Sequence, residues 1–350
     1  MTKAAAVMSV AALVLASAGC AKKSTDSAES SSGGDECVAE DSSKKVGMAY
    51  DVGGRGDQSF NDAAAKGMDK AACELGFTTS ESEAQDGESE AAREGRLTEF
   101  ADAGFNPVIA VGFAYSASVA KVAEQYPEVN FAIIDDEFAV ADNIANLVFA
   151  EEQGSFLVGA AAALKTESDH IGFVGGVETP LINKFEAGYA AGAEAVNPDI
   201  EIDVTYLTQP PDFSGFNDPA KGKTAAEGMY DGGADVVYQA AGGSGGGVFE
   251  AATAADAMAI GVDSDQYLTA DESVRDVIIT SMLKRVDVAV DTYLSDVDGG
   301  DVPTGLTRYD LEADGVGYST SGGQVDDVKT DLEDFKAKII DGSIKVPTKP

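Results

Sequence analysis

Histidine, cysteine and positive charge are all scarce in this chain of 350 residues. One histidine and three cysteines exclude zinc fingers and sites built from several histidines. They also leave histidine-dependent catalysis a single candidate, His170. Lys and Arg total 24 against 61 Asp and Glu, a formal net charge of -37. So negative a surface repels polyphosphate, which excludes general nucleic-acid binding and gives an anionic small ligand no long-range steering. Enzyme signatures are equally thin. No G-x-G-x-x-G stands near the first apolar run, and Gly222-Lys223-Thr224 lacks the upstream glycine and the strand of a P-loop. The loop GGSGG (242–246) fits a G-x-S-x-G nucleophile elbow, but in such enzymes the histidine follows the serine, and His170 precedes Ser244. Asp135 and Asp136 are neighbours on a strand and so point to opposite faces, a poor fit for paired glycosidase carboxylates. No catalysis, metal or cofactor is expected.

Length and a 44% hydrophobic content predict about two folded domains. They are preceded by an address. Lys3 is followed by an apolar stretch from Ala4 to Ala16, broken only by Ser9, and then by small residues up to Gly19. That is the layout of a signal peptide (1–19), too short for a spanning helix. Cys20 behind Ala18-Gly19 resembles a bacterial lipobox, with Ser17 where an aliphatic residue is usual. We therefore expect cleavage before Cys20, lipidation of it, and anchorage outside the cytoplasmic membrane. Residues 20–43, rich in Ser, Gly and acids, read as a flexible tether. In that oxidising setting Cys37 and Cys73 are the two remaining thiols, and a disulfide between them is expected.

From Lys44 short apolar runs alternate with helical stretches. Strands are expected at 46–52, 107–112, 131–135 and 146–150, then again at 170–176, 200–207, 234–241 and 259–263. A helix follows the first strand, with Ser59 and Asp62 as a capping-box-like start. Two successive βα series predict two parallel sheets, each covered by helices. Ligands of such sheets bind beyond the carboxyl ends of the strands. Those positions are rich in Gly and Asp here: 51–61, 135–136, 175–176, 239–247 and 263–265.

Several blocks then carry a family resemblance: YDVGGRGDQSFNDAAAKGM (50–68), AGFNPVIAVGFAYSASVAKVAEQYPEVNFAIIDD (103–136), FNDPAKGK (216–223), VVYQAAGGSGGGVFEAA (236–252), IGVDSDQ (260–266) and TSMLKRVD (280–287). The chain resembles the basic membrane protein family, lipoprotein substrate-binding components of ABC transporters whose best-understood members bind purine nucleosides. The resemblance implies an α/β type I periplasmic-binding fold, two doubly wound lobes closing by a hinge. It divides the body into a first lobe (44–149 and 273–305) and a second (150–272 and 306–345). It implies that Phe60 and Phe216, one from each lobe, sandwich the base. Asn61 and Asp135 would read the base edge with Asp51 or Asp57 nearby, while Asp263, Lys284 and the backbone of Gly242 or Gly243 hold the ribose. It also implies permease and ATPase partners and a monomer touching membrane only through its anchor. A sugar or another small polar ligand in the same fold, or a sensing role at the cell surface, stays open.

Overall fold

The computed structural model describes residues 43–350; the expected leader, Cys20, the tether up to 42 and Cys37 lie outside the described residues. Cys73 is disulfide-bonded. The body runs β1 (Lys45–Tyr50), α1 (Phe60–Leu75), β2 (Thr78–Glu83), α2 (Glu90–Asp102), β3 (Val108–Val111), α3 (Ser116–Gln125), β4 (Phe131–Ile134) and β5 (Ile144–Phe149). It continues with α4 (Glu151–Lys165), β6 (His170–Val177), α5 (Pro180–Val196), β7 (Glu201–Thr208), α6 (Pro219–Gly232), β8 (Val236–Ala240) and α7 (Gly245–Ala255). Last come β9 (Met258–Asp263), α8 (Gln266–Thr269), β10 (Ile278–Lys284), α9 (Val286–Gly299), β11 (Gly305–Tyr309), β12 (Val316–Tyr318) and α10 (Lys329–Ile340).

These strands form two sheets of the same design. One has the order β11-β5-β4-β3-β1-β2, the other β12-β10-β9-β8-β6-β7. Every pairing is parallel except that of β12 with β10. The inner strands VIAV and FAII are buried at every residue, as a sheet covered by helices on both faces requires. The outer strand TTSESE alternates half-buried and exposed residues, as an edge does. These are the two doubly wound lobes that the sequence predicts.

The chain crosses between lobes three times: from β5 into α4, from β10 into α9, and from β11 to β12. Two of these crossings differ from expectation. The segment 273–305 was expected in the first lobe, but β10 pairs with β9 and so belongs to the second sheet. The crossing falls directly after Lys284, and only α9 returns, packing on α1. In turn β11, expected in the second lobe, pairs with β5 in the first sheet. The run VIITSMLK announces a strand, but nothing in it names the neighbour.

Helices α4 and α5 pack closely because glycine opens their interface. A Cβ on Gly188 would lie 2.2 Å from the Glu152 carbonyl oxygen, and one on Gly192 1.9 Å from that of Phe156. This contact fixes the start of α4 and the first turns of α5, both of which reach the space between the lobes.

Candidate functional site

Helix α1 begins at a loop whose polar groups hold each other. The Asp57 carboxylate accepts from the backbone N–H of Ser59 (2.9 Å) and Asp62 (3.1 Å) through Oδ1, and from that of Asn61 (2.9 Å) through Oδ2. Asp57 thus caps the helix, not Ser59, which makes no side-chain cap. The expected Ser59–Asp62 capping box does not form. The Ser59 hydroxyl instead donates across the lobes to Asp263 Oδ2 (2.7 Å), while the Asp62 carboxylate accepts from Gly56 and Gln58. Ser264 Oγ and Gln266 Nε2 of the second lobe also donate to the carbonyls of Ser59 and Gln58, each at 3.0 Å.

Between the lobes lies a cavity lined by residues of both. Nine of the ten residues singled out from the sequence line it: Asp51, Asp57, Phe60, Asn61, Asp135, Phe216, Gly242, Asp263 and Lys284. The tenth, Gly243, is not among the lining residues. Phe60 comes from the first lobe and Phe216 from the second, and both are half-buried. Phe216 is seated against Gly176, where a Cβ would lie 2.4 Å from the ring. Asn61 lies at the cavity but spends its amide on the protein. Its Oδ1 accepts from the Asp51 N–H (3.0 Å), and its Nδ2 donates to Asp57 Oδ2 (3.0 Å) and the Val52 carbonyl (3.4 Å).

The floor is ionic. Lys284 is only 2% exposed. Its ammonium donates to Asp135 Oδ2 of the opposite lobe (2.5 Å) and lies 3.2 Å from Glu151 Oε1. Three rings surround it, those of Phe60, Phe149 and Phe185, with centroids 5.0, 5.2 and 5.4 Å away. Burial pulls the ammonium toward neutrality, but Asp135, Glu151 and Asp263 outweigh it, and Lys284 is held above the ordinary lysine range. The carboxyls outnumber this cation. Burial therefore pushes Asp135 up to about 7 against the pull of Lys284, and the Glu151 charge adds to the push. Burial likewise raises Asp263, and it pushes Asp51 and Asp57 up to about 6 against their backbone N–H partners. Asp135 Oδ1 is buried without a hydrogen-bond partner, an acceptor facing a cavity that can supply a donor.

Sequence reasoning missed the aromatic and apolar part of the wall and one charge. Phe113, Leu181, Ile182 and Phe185 line the cavity, and the fully buried Glu151 braces Lys284 from one side and Lys184 (3.3 Å) from the other. Phe113 could have been found, because it stands just past a recognised strand. Glu151 reads as an ordinary solvated charge at the start of a helix.

The geometry suits holding rather than transforming. The Ser244 hydroxyl of the elbow-like loop is buried, donates to the Gly215 carbonyl (2.8 Å) and accepts from the Asp218 N–H (2.7 Å), so it braces two loops. His170 starts β6, at the end of the sheet opposite the cavity, and pairs with Asp203 (3.0 Å). Among the described residues no helix is long and apolar enough to cross a membrane.

Known proteins are similar in sequence and in fold. The chain resembles the CD4+ T-cell-stimulating antigen of Listeria innocua, 36% identical over 343 residues, with 91% of this chain and 93% of the relative covered. It is 32% identical over 325 residues to the ABC transporter nucleoside-binding protein BmpA of Lactococcus lactis, covering 87% of this chain and 89% of that protein. A solute-binding protein of an ABC transporter system from Aeropyrum pernix K1 superposes with a TM-score of 0.77 at 33% identity, over 87% of this chain and 93% of that one. Residues 44–350 match the profile described as Bmp, ABC transporter substrate-binding protein PnrA-like. With two wound lobes around a lined cleft and these relatives, the chain belongs to the Bmp family of ABC transporter substrate-binding proteins, which work outside the cytoplasm with permease and ATPase subunits.

Proposed function

We propose that the ligand is a purine nucleoside, captured between the closing lobes and passed unaltered to the permease. The observation that carries this reading is the composition of the cavity: Phe60 and Phe216 from opposite lobes above a floor of carboxylates. Two rings suit a flat heterocycle, and stacking a base on an aromatic side chain contributes about 1–3 kcal/mol. Carboxylates suit its N–H and hydroxyl donors. Asp135 and Asp263 are the acceptors for these donors, with Asp51 a further lining carboxyl and the backbone at Gly242 serving the sugar. Asp57 and Asn61 support them by holding the loop that presents Phe60. Lys284 places these carboxyls and draws them toward the charged form against their burial, rather than reaching for the ribose as the sequence suggested. A phosphate would meet four lining carboxyls, Asp51, Asp57, Asp135 and Asp263, against the one lining cation, Lys284, so the nucleoside is favoured over the nucleotide. The Lactococcus relative, named for nucleoside binding, agrees.

The same proposal holds the mature protein to be a monomer, anchored through lipidated Cys20 after removal of residues 1–19. Mass spectrometry of small molecules released from the purified, denatured protein tests the ligand. A purine nucleoside is the expected species, and a sugar or a phosphorylated compound in its place would overturn the reading.

A further inference from the structure

Among the described residues one ring pair spans the two lobes. Phe113, in the turn after β3 of the first lobe, meets Phe213, in the loop after β7 of the second, edge to face at 5.8 Å and 76°. Phe113 lines the cavity; Phe213 does not. The three crossings lie by β5, β10, β11 and β12, at one end of both sheets. Strand β7 is outermost at the other end, so Phe213 stands at the edge of its sheet far from the crossings. The polar contacts between lobes cluster on the hinge side, at β9 and β10: Ser59 with Asp263, and Asp135 with Lys284.

Phe213 cannot follow Phe113 independently, because its loop is tied to the second lobe. Thr208 Oγ1 donates to the Asp212 carbonyl (2.7 Å), the Ser214 N–H to Asp212 Oδ1 (3.0 Å), and Ser244 Oγ to the Gly215 carbonyl (2.8 Å). Phe113 is held as firmly, since Tyr115 two residues on donates its hydroxyl to the Tyr50 carbonyl (3.0 Å). Two rigid mounts on separate lobes bring these rings together only when the lobes shut. We infer that Phe113 and Phe213 form an aromatic seal at the mouth, and that Phe213 sets how long a ligand stays without touching it.

The chain has no tryptophan, so a single indole can report on the contact. In the Phe213→Trp protein, adding Phe113→Ala should move the emission to longer wavelength as the indole loses its cover. No movement, ligand-free or with guanosine present, overturns the contact. In the second arm, stopped-flow release of guanosine is compared between the unmodified chain and Phe213→Ala. Dissociation should be about three- to tenfold faster, the range an aromatic pair supplies. Association should stay within about twofold, and the order among guanosine, inosine and adenosine should not change. An unchanged release rate, or an altered order, overturns the inference. This second arm rests on the nucleoside reading and the first does not; a chain that binds none of the three nucleosides contradicts that reading, while the emission still decides the contact.

Discussion

Replacing Phe216 by alanine removes one wall of the cleft while leaving the sheets beneath it intact. Guanosine affinity measured by calorimetry should fall by the worth of one stacked ring, about 1–3 kcal/mol, with the melting temperature of the ligand-free protein nearly unchanged. Asp57 should behave in the opposite way. Its carboxylate caps α1 through three backbone N–H groups, so Asp57→Ala should cost about 1–2 kcal/mol of stability in urea unfolding. Lys284→Met leaves Asp135 and Glu151 buried without their cation, a loss of about 3–5 kcal/mol. That loss should shrink between pH 8 and pH 6, as Asp135 takes up a proton in place of its partner; a loss of equal size at both would refute the assignment. At this scale the sequence was legible in residue type and less so in role. Asp, Asn and Lys stand where expected, but whether Asn61 faces a ligand or its own loop depends on the path of residues 51–57, which composition does not encode.

At the level of elements, the strand and helix series was readable because buried parallel strands are short, continuous apolar runs between glycine-rich turns. The readings that failed concern elements without such a signature. The strand TTSESE and the helix after it carry few apolar residues, so no apolar run marks either. The neighbour of β10 is set by the packing of whole sheets. The α4–α5 contact is not legible in the sequence, because the glycines of α5 do not name the helix they face. Gly188→Ala should wedge these helices apart, with about 1–3 kcal/mol lost to overpacking. Because Leu181 and Phe185 stand on α5 at the cavity wall, guanosine affinity should fall as well, unlike a purely structural lesion elsewhere.

For the molecule as a whole, its acidity and its buried carboxyls act together. Asp51, Asp57 and Asp135 have folded-state pKa values of about 6, 6 and 7, raised by burial above the ordinary aspartate value of 3.8. The folded protein therefore binds more protons than the unfolded chain between roughly pH 4 and 7. Their contribution to stability is complete below that window and is lost as pH rises through 6 to 7. The groups held low, such as Asp287, titrate below the window and leave its sign alone. The ligand-free protein should melt at a higher temperature at pH 5.5 than at pH 7.5, and Asp51→Asn should flatten the difference in a calorimetric scan.

The central claim is an uncharged purine nucleoside held between rings from two lobes over an acidic floor, and paired calorimetric titrations with guanosine and guanosine 5′-monophosphate test it most directly. The account expects guanosine to bind and the monophosphate to bind at least tenfold more weakly, the equivalent of about 1.4 kcal/mol. Equal or tighter binding of the monophosphate would contradict it.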